Sequence, residues 1–159
     1  YVAGREGAVD GGPEVAKLAI GFCEGLWLGW ADRDSGPAED MYSCSQFIHS
    51  DDVPEGYVGV RGKDGSALFG GSEYFMADEV EVLRVDGRTL LSLKVIDGAT
   101  FDPLQSAALY RFLGPTNGNK LSLIYRATRD GPSYADLLRS VGDASGLVFV
   151  IRKDTYVFG

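Results

Sequence analysis

Glycine constrains this chain more than any other residue. Its 22 glycines are spread through 159 residues, and the apolar runs between them are short. Glycine within a helix or strand costs about 0.5–1 kcal/mol relative to alanine but is at home in tight turns. The pattern therefore predicts a β-dominated chain of brief strands joined by turns. Strands are expected at Ala19 to Phe22, Leu26 to Trp30, Gln46 to Ile48, Tyr57 to Val60, Ala67 to Phe69, Glu79 to Val85, Leu90 to Ile96, Leu121 to Arg126, Leu147 to Arg152 and Thr155 to Phe158. Lys153-Asp154 is the expected turn of a closing hairpin.

Two helices are marked by their ends. Asp102 can cap the first and Pro103 sits where a missing N–H costs nothing. Leu104, Ala108 and Phe112 repeat on one face, and Gly114 ends the helix. In the second, Ser133 and Asp136 approximate a capping box ahead of Leu137 and Leu138, and Gly142 can terminate it. With no low-complexity tract or close internal repeat, one unit spanning residues 1–159 is expected, with 86–100 as a connector that carries its own apolar alternation.

Composition narrows the partners. The net charge of −8 and the absence of any basic run argue against nucleic acid, which is bound through clustered Lys and Arg. The most apolar window, Val15 to Ala31, contains Lys17, Glu24 and three glycines. It falls short of the ~20 apolar residues a spanning helix needs, so no membrane span is expected. The chain opens on Tyr1 with no basic segment followed by an apolar one, a start that reads as processed or truncated. Asn117 and Asn119 begin no N-glycosylation sequon, while O-linked sugar stays open. Cys23 and Cys44 admit either one internal disulfide or two buried thiols, and their spacing is not that of metal ligands.

No constellation points to catalysis, a cofactor or a metal. His49 is followed by Ser50 and Asp51, but neighbours in sequence do not converge as a triad must, and the residue reads as part of a surface loop. Asp32, Asp34, Glu39 and Asp40 loosely suggest a calcium loop, yet Gly36 stands where a ligand is needed and no closing glutamate follows. Gly70-Gly71-Ser72 and Gly11-Gly12-Pro13 lack the phosphate-cradling spacings and read as turns. Glu79 and Glu81 alternate with Val80 and Val82, which predicts a solvated polar face. Trp27, Trp30, Tyr42, Phe47, Tyr57, Phe69, Tyr74 and Phe75 suit core filling, or a contact face for sugar or protein.

Two stretches resemble a known family. Leu121-Ser-Leu-Ile-Tyr-Arg-Ala-Thr-Arg-Asp-Gly131, a short helix, Leu147-Val-Phe-Val-Ile-Arg and Tyr156-Val-Phe-Gly159 look like the opening half of a TLDc domain. Leu104 to Gly114 stands for its leading helix, and Thr128, Arg129, Asp130 and Gly131 match its S/T-R-D-G element. Gly25-Leu-Trp-Leu-Gly29, Cys44 and Phe75-Met-Ala-Asp-Glu-Val-Glu-Val-Leu83 resemble the closing half. The order is permuted: residues 1–85 resemble the carboxy-terminal half and 101–159 the amino-terminal half. The family's central Trp and its Phe-Leu-Phe-Ser-Leu strand are missing between them.

The resemblance implies a β-dominated α+β fold, a two-sheet antiparallel β-sandwich with two short helices. It also implies a non-enzymatic domain, tied in the family to oxidative-stress resistance and to binding of the vacuolar proton pump. The reversed order suggests either a circular permutant or a piece cut across a tandem array. In the second case strands left unpaired would be completed by a neighbouring copy, head to tail, in a fibre or array. That self-assembling structural role is the leading expectation, with glycine-rich turns and low basic content suiting a secreted fibre. The partner is thus the chain itself or another protein. Thr128 to Gly131 is the candidate interaction element, though Asp130 accepting N–H bonds within a turn braced by Arg129 is the favoured account of Arg129 and Asp130. A hydrolase built on His49 and a sugar-binding module built on Trp27 or Trp30 are the remaining readings.

Overall fold

The computed structural model describes residues 10–11, 18–20, 26–30, 38–46, 48–53, 55–68, 71–88, 96, 98–113 and 119–158. Five strands, β1 (Asp10–Gly11), β2 (Leu18–Ile20), β3 (Leu26–Leu28), β4 (Ser43–Gln46) and β5 (Tyr74–Met76), follow one another in chain order as an antiparallel meander. A second antiparallel sheet contains β6 (Glu79–Arg88), β7 (Asn119–Arg126), β8 (Leu147–Lys153) and β9 (Tyr156–Phe158) in the order β7-β6-β8-β9.

The sheets pack face to face. Leu28, Cys44 and Phe75 stand in one row across β3, β4 and β5 and join Val80, Val82, Tyr125, Phe149 and Ile151 of the second sheet in a single buried cluster. Fully burying an aliphatic or aromatic side chain contributes roughly 1.5–3 kcal/mol, so this shared interior is what unites the two sheets. The fold is the expected two-sheet antiparallel sandwich in a β-dominated α+β chain.

The second sheet also buries part of its other face. Leu83, Leu121, Val148 and Val150 form a second cluster with Ile96, and Leu109, Tyr110 and Leu113 pack against it. A β-bulge makes the two-sided arrangement work. Val82 pairs with Tyr125 but Leu83 pairs with Leu123, so Ile124 is the extra residue. It lies with Tyr125 at the inner cluster, while Leu121 and Leu123 serve the outer one. Bulges re-aim side chains in this way.

Among the described residues, three α-helices form where two are expected. In α1 (Pro103–Phe112) the Asp102 carboxylate accepts from the N–H groups of Leu104 and Gln105, both at 2.8 Å, and Gln105 Oε1 accepts from Asp102 N at 3.1 Å. α2 (Ala127–Asp130) is a single helical turn where the sequence predicts a plain turn. α3 (Tyr134–Val141) carries the Ser133–Asp136 capping box, buries Leu137 and stops at Gly142 with φ 55°.

Several expectations need correction. Leu104 is 81% exposed and Ala108 also faces solvent, so the i, i+4 stripe is not the buried one. Leu109, Tyr110 and Leu113 make a competing stripe with more apolar area, and that stripe meets the sheet. The Phe112 side chain and Gly114 lie outside the described residues. Tyr57 to Val60 forms no strand, and Ala67 makes only isolated bridges to Ile48 and Arg61. Gln46 to Ile48 is displaced into β4, and β5 was not anticipated. Phe22, Phe69 and residues 90–95 lie outside the described residues, while Ile96 is buried without being in a strand. β6 runs on through Arg88 into the expected connector. The closing turn is Asp154-Thr155, one residue later than expected, with Asp154 at φ 52°.

Candidate functional site

The S/T-R-D-G element forms the corner between β7 and α3. Asp130 accepts the Arg126 N–H at 2.9 Å and holds Arg129 through two bonds, Nε at 2.8 Å and Nη2 at 2.7 Å. The Arg129 guanidinium keeps the Asp130 carboxyl below its usual range, against the opposing effect of burial and with help from the Arg126 N–H. Tyr125 Oη donates to the Gly131 carbonyl at 2.8 Å. Gly131 has φ 107°, and a Cβ there would run into the Asp136 carboxylate that caps α3. Only glycine meets both demands. Thr128 points the other way, its N–H (3.2 Å) and its hydroxyl both donating to Glu79. The four residues are therefore in one place, and the contacts they make are those of a braced corner.

Glu79 and Glu81 are not on a solvated face. They are 6% and 2% exposed, because β6 is an interior strand and its outer side at this end is covered by residues 98–101 and α2. Glu81 stands opposite Arg126, and Glu79 opposite Arg152. The Glu81 carboxylate accepts from Thr100 N at 3.0 Å and Thr100 Oγ1 at 3.1 Å. Arg152 Nη2 donates to the Thr100 carbonyl at 2.8 Å and also to its hydroxyl. Arg126 Nη1 reaches the Gly98 carbonyl at 2.8 Å, while its buried Nε has no partner among the described residues. Burial raises the Glu81 pKa, the Thr100 bonds oppose that rise, Glu79 adds to it and Arg152 opposes it. Two buried acids, two arginines and two threonines thus form one polar cluster at the end of an otherwise apolar face. Alternation alone could not reveal it, since a strand buried on both faces reads the same as one with a wet side.

The strand edges differ from one another. β7 is an outer strand, but its Leu121 N–H is taken by Tyr110 Oη at 3.2 Å and its Arg126 N–H by Asp130. β9 is outermost at the other side of that sheet and, among the described residues, pairs with β8 alone. Its Val157 packs with the outer apolar cluster and Tyr156 is exposed. On the first sheet, β5 turns Phe75 inward and leaves Tyr74 and Met76 52% and 55% exposed.

The remaining candidates resolve locally. Trp27 and Trp30 are half-buried, and Trp30 stacks on Tyr74 with ring centres 4.5 Å apart. His49 is exposed and accepts the Asp51 N–H at 3.3 Å, capping a 3-10 turn over Ser50–Asp52. Asp40 accepts from Tyr42 N and Ser43 N in a turn. Glu39 is exposed, and Asp32 and Asp34 lie outside the described residues, among which no cluster of three or more metal-ligating side chains occurs. Cys44 is a free, buried thiol pushed up to about 12 by its burial. Cys23, the other half of the disulfide alternative, lies outside the described residues.

Compared with known proteins, the chain matches no family model, no curated sequence and no solved structure. Among the described residues, no helix is long and apolar enough to cross a membrane.

Proposed function

We propose that this chain is a non-enzymatic assembly module, a protomer whose strands complete the sheet of a neighbouring copy. β9 carries the reading. It is a short outer strand, anchored through Val157, and within the described residues it is paired on one side only. An incoming strand along β9 gains main-chain hydrogen bonds and extends the sheet. The opposite border of the same sheet is blunted by Tyr110 and Asp130, so growth there is disfavoured. The partner strand must then come from another surface, such as β1 at the border of the first sheet. A contact between two different surfaces is heterologous and propagates into an open array. Exposed Tyr74 and Met76 offer apolar area to such a contact.

Light scattering and electron microscopy of the same sample test this reading. Long regular polymers that shorten in Tyr156→Lys support it, since a lysine on an edge strand opposes pairing. A monomer that persists at every concentration overturns it.

A second reading is motivated by β6. This strand belongs to the first TLDc-like segment and pairs with β7 and β8 of the second within one chain. That closure suits a self-contained TLDc-type domain that binds a separate protein, in the family's roles of oxidative-stress resistance or proton-pump regulation. The persistent monomer is the outcome that favours it.

A further inference from the structure

Residues 98–101 lie across the acidic end of β6 and lead directly into α1. Three side chains from three strands hold them: Arg126 of β7 at the Gly98 carbonyl, Glu81 of β6 at Thr100 N and Oγ1, and Arg152 of β8 at Thr100 O and Oγ1. The segment itself contributes no titratable group. The charged groups packed around Glu81 are Glu79 on its own strand, Arg126 on β7, Arg129 and Asp130 on α2, and Arg152 on β8.

We propose that residues 98–101 form a proton-linked latch on Glu81, which closes more firmly as the carboxylate takes up a proton and loosens as pH rises.

The closed latch leaves Glu81 2% exposed. Taking an ionised carboxylate out of water is costly, and taking the neutral acid out costs far less. Thr100 can serve both forms because a hydroxyl both donates and accepts. With Glu81 ionised, Oγ1–H donates to the carboxylate. With Glu81 protonated, the acid O–H donates to Oγ1 and the Thr100 N–H stays on the other oxygen. The bonds are kept while the penalty on the charge disappears. The proton comes from solvent, and no other group need change state.

The sign follows from linkage. A carboxyl whose pKa is higher closed than open binds more protons when closed, so closure is favoured below the closed pKa and weakens as pH rises through it. The raised pKa of Glu81 agrees with that direction. When the latch opens, α1 loses its tether, and the Leu109, Tyr110 and Leu113 contacts to the outer cluster loosen with it.

Native-state hydrogen exchange across residues 99–113 tests the latch, with rates corrected for intrinsic exchange at each pH. The opening equilibrium of this segment should rise with pH above the usual glutamate range, by at most about tenfold per pH unit for one linked proton. In Glu81→Gln, which keeps an acceptor for Thr100 N and a donor for Oγ1, it should be flat. A pH-independent opening in the wild-type chain, or an equal slope in Glu81→Gln, overturns the proposal. Direct titration of the Glu81 carboxyl by its carbon-13 shift needs no variant, and a midpoint at or below that of an ordinary glutamate also overturns it.

Discussion

Thr128 donates both its backbone N–H and its hydroxyl to the carboxylate of Glu79, a residue 49 positions earlier in the chain. This contact joins the start of α2 to the central strand of the second sheet, at a place where Glu79 has almost no solvent to turn to.

Removing the Thr128 hydroxyl leaves one oxygen of a buried acid short of a donor. Thr128→Val should destabilise the fold by about 1–3 kcal/mol, and Thr128→Ser should recover most of that. Urea denaturation of the three proteins checks it, and equal midpoints for the valine and wild-type chains would contradict the contact.

Glu81 titrates in the opposite sense from most paired carboxyls. Its folded pKa is raised, so its contribution is most favourable at low pH and is lost as pH rises through the folded value. Glu81→Gln should therefore melt at a higher temperature than wild type at pH 7, and the gap should close near pH 4. Thermal melts across that range decide the matter, since a gap that widens toward acid would reverse the sign.

At Gly131, alanine meets both a left-handed backbone and the Asp136 carboxylate. Gly131→Ala should cost about 1–3 kcal/mol, with the first turn of α3 losing amide protection because its capping acid is displaced. An alanine variant as stable as wild type would mean that the corner relaxes freely.

The helix faces can be told apart by substitution. Leu104→Ser should fall within about 0.5 kcal/mol of wild type, as surface changes do. Leu137→Ala should cost about 2–5 kcal/mol because Leu137 sits in the inner cluster. Chemical denaturation of both compares them, and a large loss at Leu104 would place the stripe back on the sheet.

Cys44 should resist alkylation in the native state at pH 8, since the thiolate is the nucleophile and burial holds the thiol at about 12. Peptide mapping after labelling separates it from Cys23. Rapid native labelling at Cys44 would contradict its burial.

Local signals were legible in the sequence, and tertiary choices were not. Asp102 with Pro103, and Ser133 with Asp136, marked both capped helices because a cap is a contact within one turn. The apolar runs at Leu121, Leu147 and Glu79 located β7, β8 and β6. The face of α1 was misread because Leu104 and Leu109 are equally apolar, and only the sheet beneath chooses between them. Glu79 and Glu81 were misread for a related reason: what buries them is Thr100 and Thr128, which come from remote segments. The Thr128 to Gly131 motif was visible, but its bond to Glu79 was not, because nothing local links the two.

The position of β6 has a consequence for how the chain acquires its structure. Strands β2 to β5 each pair with the one made just before, so the first sheet can assemble as the ribosome delivers it. β6 follows at once yet has both neighbours, β7 and β8, still to come. Until β7 has been made, the longest of the described strands waits with two open borders, and one stays open until β8 follows. Such non-local pairing slows folding and exposes strands to wrong partners. The second sheet is therefore the late and vulnerable step, and conditions that slow the arrival of β8 should favour aggregation over the native sandwich.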